Sequence, residues 1–380
     1  MKISKMGSFF FFFFILLGIA AAGSGFPGIQ LSDIPSSENR SGFFIFGDSY
    51  VDAGNNNYIN TTDDFLANFP PYGETFFTTP TGRFSDGRII PDFLAEYANL
   101  PLIQPYLDPK NNLYLNGVNF ASGGGGALAG SHQGQAIGLQ TQMKFFKRVK
   151  NSLTKRLGNA RTQSFFSNSV FLFNFGGNDY LNPFDISYDI FKTLDAQEQF
   201  ADMVIGNITI ALKEVYKCGG RKFGFMTVPP LGYTPSSRLK KNAQFFDETS
   251  SLARVHNKLF LMAIQRLATQ LDGFKYAFAD THTLLLQRIL NPTKYGFKIV
   301  DTACCGSDEF RGFFNCGRKK GAIPYTLCEN VQDYMFFDSY HPTEKTFEQL
   351  AKEMWSGDAH IVKPYNFKQL FQYDPFLGSQ

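Results

Sequence analysis

The sequence predicts an α/β fold in which helices cover a parallel sheet. Five short apolar segments, each closed by turn-forming residues, have the pattern of strands buried on both faces, and segments with helical periodicity lie between them. Strands that alternate with helices are joined by right-handed crossovers, which make the strands parallel. The 380 residues include 44 Phe and only 18% charged residues, so a large core is available and an intrinsically disordered chain is excluded.

The predicted strands bring polar residues to one edge of the sheet. The strands are Gly42–Phe46, Gly117–Phe120, Val170–Phe175, Lys222–Val228 and Lys275–Ala279. Ligands bind beyond the carboxyl ends of parallel strands. The residues that follow the strands, among them Ser49, Gly123 and Asn178, are therefore the first candidates for function.

Helical periodicity accounts for the intervals between the strands. The predicted helices are Ile89–Ala98, Gln140–Arg156, Asp195–Lys217, Asp247–Leu271 and Glu344–Trp355. The last of them follows a proline, as the start of a helix often does. No internal repeat or linker is visible, so residues 24–380 are expected to form a single domain.

The first 23 residues have the pattern of a secretory signal peptide. Lys2 and Lys5 precede the apolar run Phe9–Ile19, and small residues follow it. The run is shorter than the roughly 20 residues that span a bilayer, which favours cleavage over an uncleaved anchor. We therefore expect a secreted, extracellular protein, with the vacuole as the alternative, and no stable membrane insertion after cleavage.

Five cysteines would meet an oxidising compartment in a secreted chain. Four of them lie in Asp301–Asn330, where the adjacent Cys304 and Cys305 are each expected to pair with a cysteine further on, and the pairing stays open. The partners available to them are Cys316 and Cys328. The fifth, Cys218, is expected to be a buried thiol at the end of a helix.

Sequons at Asn39, Asn60 and Asn207 are permissive signals for glycosylation on the secretory route. The net charge of +3 is small and its carriers look scattered, so no nucleic-acid partner is expected. No paired C-x-x-C spacing indicates a zinc site. Nothing in the sequence indicates an obligate protein partner.

Ser49 and His341 have the settings that nucleophilic catalysis needs. Gly47 permits a tight exit from the first strand, which would expose the Ser49 hydroxyl, and a serine nucleophile requires a base within hydrogen-bond reach. His341 lies three residues after Asp338, so the carboxylate can turn back and orient the ring. These three residues predict acyl transfer.

Acyl transfer also needs hydrogen-bond donors for the developing oxyanion. The backbone N–H of Ser49, the backbone N–H of Gly123 and the side-chain amide of Asn178 all follow strands and could converge on one point. Gly124 is the alternative to Gly123. Each motif alone is common, but their joint placement at strand ends is specific.

The motifs together resemble the plant-type GDSL esterase/lipases of the SGNH hydrolase superfamily. The resemblance covers Phe43 to about Trp355. It rests on five blocks, which are Phe44–Asn57, Pro80–Arg88, Gly117–Gly124, Phe175–Tyr180 and Phe337–Thr343.

This resemblance implies a three-layer α/β/α domain, similar to flavodoxin, with about five parallel strands. It implies Ser49 as nucleophile, Asp338 and His341 as its acid and base, and Ser49, Gly123 and Asn178 as the oxyanion hole. It implies no metal and no cofactor, and a small-molecule or lipid ester as substrate. An acyltransferase of the same family is the alternative to a hydrolase, and a non-catalytic defence or binding protein is a third hypothesis.

The other notable residues are expected to be structural or to line the cleft. Asp179 is expected to brace the Asn178 loop. For His132 a position at the cleft and a position away from it are equally expected. His256 is expected to be a satisfied helix residue, His282 a structural residue and His360 a solvated one. The aromatic loop Asn68–Phe84, and Phe310–Phe314 with it, could shape an acyl pocket.

Overall fold

A central sheet of six strands organises the protein, and five of its strands are parallel. The computed structural model describes residues 41–181, 193–239, 243–317 and 324–373, with the backbone alone for 243–249. The predicted signal peptide and the sequon at Asn39 lie outside these residues. The described residues all belong to one compact unit.

The described strands follow in chain order. They are β1 (Phe43–Gly47), β2 (Gly117–Asn119), β3 (Val170–Asn174), β4 (Lys222–Met226), β5 (Lys275–Ala279), β6 (Ile299–Ala303), β7 (Cys305–Gly306), β8 (Thr326–Leu327), β9 (Tyr334–Phe336) and β10 (Val362–Pro364). The large sheet has the order β2-β1-β3-β4-β5-β10, and β10 pairs with β5 in the antiparallel sense. The expected five parallel strands are confirmed, and β10 is an addition.

Helices cover both faces of this sheet. The described α-helices are α1 (Ile90–Tyr97), α2 (Leu139–Leu157), α3 (Asn159–Asn168), α4 (Gly177–Leu181), α5 (Leu194–Lys217), α6 (Pro235–Leu239), α7 (Ala243–Gln270), α8 (Thr281–Leu290), α9 (Glu344–Ser356) and α10 (Phe367–Gln372). Helices α2, α3, α5 and α7 pack on one face, and α1, α8, α9 and α10 pack on the other. The expected three-layer α/β/α architecture is therefore confirmed.

The strand residues explain why both faces need cover. Successive side chains of a strand point to opposite faces, so Phe44 and Phe46 enter one core while Phe43 and Ile45 enter the other. The ring of Phe44 stacks on that of Phe171 with centroids 5.1 Å apart. All four β1 side chains are fully buried, so much of the phenylalanine content of the chain belongs to the core.

Two disulfides hold the loop that precedes the last of the five motif blocks, Phe337–Thr343. Cys304 is bonded to Cys328, and Cys305 to Cys316, which resolves the pairing that the sequence left open. Cys218 is not disulfide-bonded and follows α5 directly. It is half-buried rather than buried as expected, and that burial raises the pKa of its thiol.

Two of the three sequons lie within the described residues. Of the sequons within the described residues, Asn60 is exposed and Asn207 is half-exposed on α5. None of the helices in the described part of the chain combines the length and the apolarity that a bilayer span requires.

Candidate active site

The loop after β1 carries Ser49 at the carboxyl edge of the sheet. Gly47, the last residue of β1, lies so close to β3 that an added Cβ would come within 2.6 Å of the Asn174 carbonyl oxygen. Gln142 of α2 holds the same backbone: it accepts from the Gly47 N–H at 3.0 Å and donates to the Gly47 carbonyl at 2.8 Å. Packing against β3 and hydrogen bonds from α2 therefore fix the backbone that leads into the Ser49 loop.

A continuous chain of hydrogen bonds joins Ser49, His341 and Asp338. His341 Nε2 lies 2.8 Å from Ser49 Oγ, and His341 Nδ1 lies 2.8 Å from both carboxylate oxygens of Asp338. All three residues are buried or nearly so. The structure thus brings together residues that lie 292 positions apart in the chain, in the arrangement that a serine nucleophile, its base and its orienting acid require.

Asp338 is held by its own turn and by a tyrosine from another part of the chain. Its Oδ1 accepts from the backbone N–H groups of Tyr340 and His341, at 2.9 and 2.8 Å. Its Oδ2 accepts from the buried hydroxyl of Tyr72 at 2.8 Å. Burial alone would raise the pKa of Asp338, but the charge of His341 and these hydrogen bonds outweigh it and lower that pKa.

Tyr72 is a residue of the site that sequence reasoning did not identify. It belongs to the aromatic loop Asn68–Phe84, for which the sequence suggested only that it could shape an acyl pocket. The Asp338 turn itself is anchored by the disulfide loop, because the Cys305 N–H donates to the Phe337 carbonyl at 2.7 Å. The disulfide-bonded loop therefore supports the turn that carries Asp338.

The residues predicted as oxyanion donors lie at this edge of the sheet. Asn178 opens α4, and its amide donates to the Gly125 carbonyl at 3.2 Å, which leaves a second N–H of the amide. The backbone N–H of Gly123 donates to Asp52 Oδ2 at 2.9 Å and is therefore engaged. The alternative donor, the N–H of Gly124, has no hydrogen-bond partner among the described residues, and both glycines line the cavity.

A cavity of about 590 Å³ opens over Ser49. Its apolar lining includes Phe65, Phe84, Phe175, Leu181, Val228, Pro229, Leu231 and Phe314, and its polar lining includes Thr62, Asp64, His132 and Gln135. Of the aromatic residues in Asn68–Phe84, Phe84 alone is among these lining residues, so the expectation that this loop shapes the pocket holds for one residue. Phe314 fulfils the other expectation, whereas Phe65 and Phe175 were not foreseen.

The family model of GDSL-like lipase/acylhydrolase matches residues 43–354, which include all of these residues. The chain belongs to this family. The expected assignment as a carboxylic ester hydrolase is thereby confirmed at the level of the family.

Named relatives of this GDSL chain come from plants. A GDSL lipase of Tanacetum cinerariifolium is 48% identical over 90% of each chain. GDSL esterase/lipase 1 of Arabidopsis thaliana is 48% identical over 88% of this chain and 91% of its own length. Among solved structures, an extracellular lipase of Streptomyces rimosus aligns over 82% of this chain and 99% of its own, with 12% identity and a TM-score of 0.33.

Two buried carboxylates of this GDSL hydrolase brace the oxyanion side. Asp52 accepts from the N–H groups of Gly54 and Asn55 as well as Gly123, yet burial raises its pKa to about 6. Asp179 accepts from the N–H groups of Ala127 and Leu128, both at 3.0 Å, and burial raises its pKa too. Asp179 thus links the segment that carries Asn178 to the loop of residues 127–131, whereas the expectation was that it braces the Asn178 loop itself.

A third carboxylate, Asp48, lies beside the nucleophile itself. Its Oδ1 accepts from the Tyr50 N–H at 3.1 Å and from the Asn174 amide at 2.8 Å. Burial raises its pKa to about 7, and the negative charge of Asp179 adds to that rise. Its burial therefore favours the protonated form of this carboxyl.

The other histidines of the GDSL chain divide as the sequence suggested, with one exception. His132 lines the cavity, His282 is half-buried and is not among the lining residues, and His360 is exposed. His256 is buried on α7, and its Nδ1 lies 2.7 Å from the Tyr180 hydroxyl. Its Nε2 has no hydrogen-bond partner among the described residues, so the expectation of a satisfied histidine holds for Nδ1 only. Burial lowers the pKa of His256 to about 3.

Proposed function

We propose that the protein is a secreted serine esterase/lipase that hydrolyses carboxylic esters through an acyl-enzyme on Ser49. The observation that carries this proposal is the hydrogen-bond chain Asp338–His341–Ser49, which opens into a cavity with a largely apolar lining. The relatives named lipase and esterase/lipase support an ester as substrate. The predicted signal peptide supports secretion.

The first half of the reaction forms the acyl-enzyme. Ser49 Oγ attacks the carbonyl carbon of the ester while its proton passes to His341 Nε2. Asp338 stabilises the imidazolium that results. The tetrahedral intermediate then collapses, the bond to the alcohol oxygen breaks, and the alcohol leaves with the proton of His341.

The second half releases the acid. Water attacks the acyl carbon and gives a proton to His341, and the departing Ser49 oxygen then takes that proton back. In both halves the oxyanion receives hydrogen bonds from the Ser49 N–H, the Asn178 amide and the glycine segment after β2. Within that segment we assign the donor to Gly124, because the Gly123 N–H already donates to Asp52.

We assign the acyl group to the apolar lining of the cavity. That lining includes Phe175, Val228 and Leu231, whereas Thr62 and Gln135 belong to the polar lining. Ligand pockets of several hundred Å³ bury most of a drug-sized molecule. Esters of medium-chain acids therefore fit this cavity, and the alcohol part faces the polar lining.

The decisive experiment is hydrolysis of p-nitrophenyl esters of increasing chain length by the purified mature chain. We expect Ser49→Ala and His341→Ala each to lose on the order of 10³-fold or more in kcat, because the residues act as a unit. Ser152→Ala, a half-exposed serine on α2, is the matched control and should retain full activity. Undiminished hydrolysis by Ser49→Ala would refute the mechanism.

Two further measurements decide the remaining points of the proposal. Candidate alcohols added to the assay should yield free acid and no new ester, whereas formation of a new ester would indicate the acyltransferase. Secretion is tested by the N-terminus of the chain collected from the culture medium of a plant expression host. We expect it to start between residues 23 and 26, and retention of residues 1–23 in a cell-bound chain would contradict secretion.

A further inference from the structure

The charges of this chain are segregated, although its net charge of +3 suggests an even mixture. Residues 109–178 contain no Asp or Glu, and the rest of the chain holds 28 basic residues against 33 acidic ones. The basic residues of that acid-free segment are Lys110, Lys144, Lys147, Arg148, Lys150, Lys155, Arg156 and Arg161. A region with a charge of +8 therefore belongs to a chain whose remainder is negative, and the charges are not scattered as the sequence first suggested.

Helix α2 concentrates these charges on one surface. At 100° per residue, Lys144, Lys147, Arg148 and Lys155 fall within an arc of about 100°, and all four are exposed. We call these four residues the basic α2 face. Residues on the opposite side of the helix belong to the core; they are Met143, Phe146, Val149 and Leu153. The core contacts hold the basic face in a fixed orientation.

Few acidic groups neutralise the basic α2 face. Lys147 pairs with Glu214 of α5 at 2.9 Å, and both side chains are largely exposed, so this pair contributes little. Lys144, Arg148 and Lys155 form no ion pair with any described residue. These four side chains cover about 16 Å along the helix axis. They present a line of positive charge rather than a point.

The chemistry of this arc favours one kind of polyanion. Gln140 and Asn151 are the other exposed residues on it, and neither is apolar or aromatic. Binding within a bilayer surface needs apolar residues that enter it, and binding of single-stranded nucleic acid uses aromatic platforms for the bases. A polymer that offers regularly spaced anionic groups and no apolar part needs neither.

We propose that the basic α2 face binds a linear acidic polysaccharide. This inference rests on the proposed secretion, which places the protein where such polymers occur, but not on the chemistry of Ser49. The bound polymer leaves the cavity open, because α2 turns a different side toward the nucleophile. Gln142 contacts Gly47 from that inner side. The face therefore anchors the enzyme to a polymer without covering its site.

The test measures binding of the full mature chain to immobilised polygalacturonate as a function of salt. The variant is the triple substitution of Lys144, Arg148 and Lys155 to Gln, which spares the Lys147–Glu214 pair. The matched control is the triple substitution of Lys258, Lys352 and Lys368 to Gln, since these lysines are exposed on α7, α9 and α10. Both variants change the net charge equally.

We expect the wild type to bind at low salt and to be released by added salt, because the contacts are ionic. The α2 triple variant should lose about tenfold or more in affinity, and the control less than twofold. Both should hydrolyse p-nitrophenyl acetate like the wild type. Equal losses in the two variants, no retention of the wild type, or equal or tighter binding to anionic phosphatidylserine vesicles or to single-stranded DNA would overturn the proposal.

Discussion

The two halves of the site use buried aspartates in opposite ways. In the proton-transfer half, Asp338 faces His341 and has a lowered pKa. In the oxyanion half, Asp52 and Asp179 face backbone N–H groups and have raised pKa values. Burial opposes ionisation in every case. What separates the halves is direct contact with a cationic partner: His341 is hydrogen-bonded to Asp338, whereas Arg83 acts on Asp52 and His132 on Asp179 through charge alone. Burial and hydrogen bonding alone therefore do not identify a catalytic acid in this fold.

The first way to test this comparison is to remove the charge of Asp338. The variant Asp338→Asn keeps the size of the side chain but cannot stabilise the imidazolium, and its amide favours the wrong tautomer of His341. We expect kcat to fall on the order of 10³- to 10⁴-fold. Steady-state kinetics with a p-nitrophenyl ester measures this. A loss below tenfold would show that the two halves do not differ as described.

The oxyanion half is tested through Asn178. Replacing it with Ala removes one donor to the oxyanion and leaves the proton-transfer half intact, so kcat should fall about 10²- to 10³-fold with little change in KM. Asn151→Ala, an exposed amide on α2, is the control. An unchanged kcat in Asn178→Ala would remove Asn178 from the oxyanion hole.

Tyr72→Phe sharpens the account of the proton-transfer half. A hydrogen bond to a charged group contributes about 1.5–3 kcal/mol, so loss of the Tyr72 hydroxyl should lower kcat about tenfold and leave KM unchanged. Tyr180→Phe is the matched control, because Tyr180 is as deeply buried as Tyr72 but its hydroxyl contacts His256 instead of Asp338. Equal kcat losses in both variants would mean that Tyr72 acts through general stability and not by positioning Asp338.

The smallest expected effect concerns stability and pH. The folded-state pKa of Asp48 is raised to about 7 from an ordinary value of 3.8. Its contribution to stability is therefore fully present below that ordinary value and is lost as pH rises toward 7, at about 1.4 kcal/mol per pH unit within the window. Asp48→Asn keeps the acceptor for Tyr50 and Asn174, so it should gain stability relative to the wild type between pH 4.5 and 7.5.

Urea denaturation at the two pH values measures this gain. Asn151→Ala, which changes an exposed amide on α2 and no titratable group, is the contrasting control. Its difference in stability from the wild type should therefore be the same at both pH values. A constant difference for Asp48→Asn as well would contradict the raised pKa.

The fold and the residues of the site differ in how far the sequence predicts them. The strands before Ser49, Gly123 and Asn178 are foreseen because burial on both faces leaves a local apolar signature. The turn that links Asp338 to His341 is foreseen because its partners lie three residues apart. These are short-range patterns, and the structure contains both the strands and the turn.

What the sequence could not predict depends on contacts between distant segments. The Tyr72 hydroxyl donates to Asp338, which lies 266 positions away in the chain, and the Gly123 N–H donates to Asp52, which lies 71 positions away. The pairing of the adjacent Cys304 and Cys305 likewise depends on which of them the folded chain brings close to Cys316 and which to Cys328. No local periodicity encodes such contacts.

The sequence by itself therefore determined the layered α/β fold, the family, and the nucleophile, acid and base as hypotheses. Its phenylalanines gave enough apolar surface for two cores, and strand alternation divided Phe43 and Phe44 between them. The tertiary structure alone decided which glycine N–H is engaged, which aromatic residues line the cavity, and which side of α2 packs on the core. The physical reason is that strand and helix patterns follow from local burial, whereas the hydrogen-bond partners and cavity walls of the site form where distant segments meet.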